Sequence, residues 1–212
     1  TNIENNGGAN TPIVSDYTVD RTIITVNEKN TVNSLAFKDS GTLAIEAGGS
    51  LEVSSGRLTV DTGESTVSGG KLVALTTDLV KDGGGQLNLE NIVEVANDAK
   101  IEGGLLSIMG DGILKAVNVI VESAGTLGGD GTIEADVQVF GTLAAGNSPG
   151  TTTIVGDLDI DPGSTTEIEI ESLTNHDKWI VDGDIVIKGK ENETDPDTTL
   201  DASVWGSGAI QV

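Results

Sequence analysis

Apolar residues in this chain return at every second position over short runs, and glycines separate the runs. In GTLAIEAG (41–48), GSLEVSSG (49–56) and GRLTVDTG (56–63), a glycine precedes an apolar pair: Leu43 and Ile45, Leu51 and Val53, Leu58 and Val60. Successive side chains point to opposite faces of a strand, so each pair shares one face and predicts a short, half-buried strand. GKLVALTT (70–77) continues the pattern approximately, and it resumes at 85–95, 100–110, 112–123, 125–146 and 156–172. Strand starts recur roughly every seven or eight residues in the clearest region, which makes an internal repeat. No long window repeats apolar residues every three or four positions, so no helix is predicted.

Short strands at this spacing suit a sandwich of hairpins or a parallel coil stacked on itself. Hairpins favour Asn-Gly or Asp-Gly turns, and sandwich cores carry large aromatic residues. Here the turns are G-G, A-G-G, D-T-G and S-G-G, and aromatic residues make up 2% of the chain. A parallel coil explains more. Small aliphatic residues stack on their equivalents one coil above, and glycines turn the corners with positive φ. The reading is an all-β, right-handed parallel β-helix over 16–188. A polar lead-in or cap precedes it at 1–15, and a polar loop with a possible terminal strand follows at 189–212. At about twenty residues per coil, on the order of nine to ten coils are expected. At about 4.8 Å per strand they would form a rod of roughly 45 Å.

Charge narrows the partners. Asp and Glu number 34 against 11 Lys and Arg, a net charge of −23. Such a chain repels phosphate backbones and anionic membrane surfaces and attracts cations. Nucleic-acid binding is therefore not expected. Cysteine is absent, which removes disulfides, zinc thiolates and a thiol nucleophile. No run approaches the roughly 18 apolar residues of a membrane span. Thr1 starts without a basic-then-apolar leader, so an exported protein would already have lost its signal.

The segment 122–189 carries a resemblance. It strings together G-x-L-x-G-x-G-x-I from Gly125 to Ile133, then GTLAAGNSPG from Gly141 to Gly150, the Gly156-Asp157 and Gly163-Ser164 strands, and a closing stretch from Asp177 through Gly183. In order and spacing this resembles the passenger-associated repeat of bacterial autotransporters, with Ala145 where the family usually has Pro. The stretch 30–60 is similar, more weakly, to repeats of the same class of bacterial surface proteins. The resemblance implies a right-handed β-helix exported to the bacterial cell surface or secreted. It also makes the motif residues structural, with Gly141 opening a short strand and Gly146, Asn147, Ser148, Pro149 and Gly150 forming a corner, and gives Asp177 the task of accepting backbone hydrogen bonds at a turn.

Chemistry finds few footholds. Gly146-Asn147-Ser148-Pro149-Gly150 has the G-x-S-x-G spacing of a nucleophile elbow. However, no helix follows, Pro149 removes a backbone N–H, and His176 is the single histidine. His176 reads as a solvated loop residue, and Trp179 as packed. Asp157, Asp159 and Asp161 alternate on one strand, as do Asp182 and Asp184, and read first as polar faces. Asp195 and Asp197 lie in the polar loop. Together with Asp157, Asp159 and Asp161 they are the weak candidates for a metal, because carboxylates suit Ca²⁺ but no EF-hand or nonapeptide spacing is present. No cofactor is expected beyond weak Ca²⁺ binding. Trp205, between Val204 and Gly206, is the candidate contact with a partner.

The functional expectation is a non-enzymatic structural rod, stalk or adhesin, with surface glycans, proteins or other copies of itself as partners. The alternatives are a self-assembling filament or array subunit and, last, a polysaccharide lyase or hydrolase on the same scaffold.

Overall fold

The structure, a computed structural model, describes residues 2–3, 16–145, 149–172, 174–189 and 199–204. Among these residues there is no helix. Strands pair in parallel into one continuous sheet that winds into a β-solenoid of about seven turns. The exception to parallel pairing is an antiparallel bridge between Ile170 and His176.

Each turn has three faces. On the second face, Asn30, Leu51, Leu72, Val93, Leu114, Ile133, Ile154 and Val181 lie one above the next. The first face stacks Ile24, Leu43, Val67, Leu89 and Ile108 in the same way. The third stacks Leu35, Leu58, Lys81, Ile101, Val121, Val139 and Ile160. Nearly all these side chains are fully buried and form one core cluster running from Val19 to Ile160. Complete burial of a Val, Leu or Ile is worth about 1.5–3 kcal/mol, so the stability of the rod is distributed along its axis.

Turn length explains why the coil count falls short of the nine to ten expected. From Leu127 to Leu143 a turn takes 16 residues, whereas from Ile154 to Val181 it takes 27. The extra residues go into corners and loops, which alternation along the chain does not count. Two adjacent glycine-led segments also merge: residues 41–56 hold a single bent strand, Thr42–Val53. Conversely, Asp182 and Asp184 do not share one strand: they lie in the corner Asp182-Gly183-Asp184 that parts the strands Lys178–Val181 and Ile185–Ile187.

Corners need glycine where a carbonyl from the turn below comes close. Gly129 ends the strand Gly125–Gly129 with φ +103, and a methyl group placed on it would run into the Ile108 carbonyl oxygen. Only a residue without Cβ fits both demands.

Candidate functional site

The motif corner and Asp177 meet in space. Asp177 is buried, and its carboxylate accepts the Gly150 N–H at Oδ1 (2.8 Å) and the Glu169 N–H at Oδ2 (2.8 Å). The Asp177 N–H returns a bond to the Glu169 carbonyl at 2.9 Å. One carboxylate thus ties the end of the Gly-Asn-Ser-Pro-Gly stretch to the loop that carries half-buried His176. At the other end of the motif, Gly141 is packed so closely under the Glu122 and Gly125 carbonyls that a Cβ has no room. Pro149 adjoins Gly150 in that corner, while Gly146, Asn147, Ser148, Asp195, Asp197 and Trp205 lie outside the described residues.

The three alternating aspartates are not equivalent. Asp157 sits at the corner entering the third face, where its Oδ1 accepts the Asp184 N–H at 2.8 Å. Asp159 points outward and is reached by Lys188 Nζ at 3.0 Å. Asp161 is buried beyond the strand end, where Lys188 Nζ (3.1 Å) and the Gln138 side-chain amide (3.0 Å) both donate to it. These two carboxylates raise the Lys188 pKa, Asp159 contributing most. Lys188 occupies the space between Asp159 and Asp161 that a cation would need. Among the described residues no group of three or more His, Cys, Asp or Glu is placed to hold a metal ion.

Asp157 belongs to a longer row. At the same corner in successive turns stand Asp78, Asp98, Asn118, Asp136, Asp157 and Asp184. Most of these side chains bond to a neighbour along the axis. Asp78 Oδ1 accepts the Asp98 N–H (3.4 Å), Asp98 Oδ1 the Asn118 side-chain amide (2.8 Å), and Asp136 Oδ1 the Asp157 N–H (3.0 Å). Lys100 also donates to Asp78 at 2.6 Å, which holds the Asp78 carboxyl below the usual carboxylate range and raises the Lys100 pKa. Beside this row, Asn118, Ile120, Asp136, Val137, Gln138, Asp157 and Asp159 line an open cleft of about 330 Å³.

Lys81 was not singled out from the sequence. It occupies an inward position between Leu58 and Ile101 and is 1% exposed. Its Nζ donates to the carbonyls of Asp82 (3.0 Å), Gly83 (3.1 Å) and Gly103 (2.8 Å). Burial lowers its pKa from 10.5 to about 8, against a smaller opposing pull from Asp82. The signal was available: Leu79 is inward, so alternation sends Lys81 inward as well. Elsewhere charges pair from turn to turn, as in Lys71–Glu94 (2.6 Å), Lys115–Glu134 (2.8 Å) and Arg57–Asp82.

No family model matches the chain, and no solved structure matches it. The chain is similar to a protein of Serratia marcescens described as an extracellular serine protease, with 35% identity over 101 residues. The match takes in 47% of this chain and 9% of that protein, so the chain spans about a tenth of the relative's length. The solenoid and this distant likeness fit, loosely, an extracellular β-helical family.

Proposed function

We propose that the chain is a non-enzymatic, secreted or cell-surface β-solenoid, a passenger-like rod that displays or adheres. The supporting observation is the stacking of mostly aliphatic buried residues over about seven turns. Around it, polar side chains serve the scaffold: Asp177 fastens the motif corner, and Lys188 spans Asp159 and Asp161. The likeness to an extracellular protein supports export. In this reading the chain itself carries no protease activity, since a serine nucleophile needs a base and His176 is the single histidine in the sequence. Divalent cations associate with the acidic surface diffusely.

The test has two parts. Labelling intact source cells with an antibody should place the protein outside. The purified chain should turn over neither casein nor a panel of acidic polysaccharides. Turnover abolished by Ser148→Ala or Asp159→Asn would overturn the non-enzymatic reading.

A second reading, end-to-end assembly with other copies, rests on the last described rung of the third face. Ile185 and Ile187 stand in register over the core residues Leu158 and Ile160, yet are 55% and 66% exposed. Sedimentation at several protein concentrations tests it, and a monomer throughout would count against it.

A further inference from the structure

The strand Lys178–Val181 closes the second face at one end of the described rod. Beneath it lies Thr151–Ile154 in parallel register, and among the described residues no strand pairs above it. The Lys178 N–H bonds the Gly150 carbonyl (2.9 Å) and the Asp182 N–H bonds the Ile154 carbonyl (2.8 Å), so every second residue faces the rung below. The N–H and C=O groups of Trp179 and Val181 therefore point along the axis, away from the rod, as the open edge of a sheet. Ile180, on the outer side of this edge, is 52% exposed, while Trp179 and Val181 are half-buried against the core.

An open edge is a template for a strand that complements it, and the sequence Lys178-Trp179-Ile180-Val181-Asp182 complements itself. Laid antiparallel on a second copy about a two-fold axis at Ile180, Lys178 meets Asp182, Trp179 meets Val181, and Ile180 meets its own counterpart. Lys178 and Asp182 are exposed, and among the described residues neither side chain has a hydrogen-bond or ion-pair partner. The backbone phase agrees. Trp179 and Val181 fall at hydrogen-bonded positions of such a pair, and Ile180 at the non-hydrogen-bonded position between them. Across a three-sided coil the same axis lays Ile185–Ile187 of each copy against Thr199–Val204 of the other, which covers the exposed third-face edge as well. Head-to-tail stacking fits less well. It would carry the second-face column from Val181 on to Asn30, polar upon apolar, and would set Lys29 over Ile180. At that opposite end the inward Val19 and Val32 are already fully buried.

We infer that two copies of the chain join through this edge as a closed two-fold pair, with Lys178–Val181 antiparallel to its counterpart and Lys178 of each copy against Asp182 of the other. The inference rests on the end-to-end reading above and fixes its geometry: a self-complementary contact closes at two copies, where a head-to-tail contact would grow a filament. The net charge of −23 on each copy opposes approach. Salt screens that repulsion beyond about 8–10 Å, so the two Lys178–Asp182 pairs decide at contact range.

Sedimentation of the full chain over a range of concentrations should show dimers as the largest species. Lys178→Asp or Asp182→Lys alone sets like charges together at both ends of the contact and should weaken dimerisation by about tenfold or more. The two substitutions combined should restore it. Both side chains are exposed, so the fold should survive, as circular dichroism would verify. Disulfide trapping tests the axis independently, because the chain has no cysteine of its own. Ile180→Cys should cross-link to its counterpart under mild oxidation, since Cα atoms about 4.5 Å apart suit a disulfide. Val186→Cys, at an exposed position off the axis, should not. Species larger than dimers, charge reversals without effect, a combined variant that stays weak, or equal cross-linking of both cysteine variants would overturn this pairing and leave end-to-end assembly standing. Monomers at every concentration would overturn both, and dimers that then form on truncation after Val204 would make residues 205–212 the occupant of the edge.

Discussion

The Asp177 carboxylate reaches back 27 positions to accept the Gly150 N–H at 2.8 Å, and so closes the corner that joins two turns of the rod. Its second oxygen takes the Glu169 N–H. Asp177→Ala leaves two backbone donors without their acceptor in a buried site, at about 1–3 kcal/mol for each unsatisfied group. Asp177→Asn keeps one carbonyl acceptor and should cost less. Urea unfolding measures both. Amide exchange should accelerate first at Gly150 and Glu169, and equal stability of the alanine variant and the parent would contradict this role.

Lys81 predicts an alkaline rise in stability. Its folded pKa, about 8, lies below the ordinary value of 10.5, so between these limits the unfolded chain holds a proton that the folded chain has released. Stability therefore increases as pH passes upward through that window, by up to about 3 kcal/mol. Below pH 8 both states are protonated, and the fold carries the full penalty of a buried ammonium. Lys81→Met should remove this pH dependence while leaving the carbonyls of Asp82, Gly83 and Gly103 short of a donor. Unfolding midpoints at pH 7 and 9.5 for both proteins decide it, and parallel shifts would refute the assignment.

Gly129 and Gly110 both have positive φ, +103 and +57, but differ in surroundings. A methyl group at Gly110 meets nothing within 4 Å, whereas at Gly129 it strikes the Ile108 carbonyl. Gly110→Ala should cost about 1 kcal/mol from backbone conformation alone. Gly129→Ala should cost about 3 kcal/mol or more, because the turn below must also move. Thermal melts of the two variants under identical conditions make the comparison.

Lys188 holds the place of a cation between Asp159 and Asp161. Added Ca²⁺ should give the parent protein only a shallow, unsaturating rise in melting temperature, from screening of its net charge of −23. Lys188→Ala removes the ammonium and should lower the melting temperature in low salt. It should also introduce a saturable Ca²⁺ response, reversed by EDTA. A saturable response already present in the parent would place a metal site elsewhere on the chain.

Much of the architecture was legible along the chain. The alternation of Leu43 with Ile45 and of Leu51 with Val53 settled which side chains face inward, because the strand has a period of two. Glycine runs marked corners for an equally local reason, the backbone conformations that Cβ forbids. The inward phase of Lys81 was legible on the same grounds. What alternation cannot encode is which inward residue lies on which, since turns of 16 and 27 residues obey the same local rule. Only the closed coil decided the number of turns, the Gly103 carbonyl that meets the Lys81 ammonium, and the bridging of Asp159 and Asp161 by Lys188. These are contacts between residues about one turn or more apart, set by stacking register, and the length of each corner loop moves that register without changing the pattern of any strand.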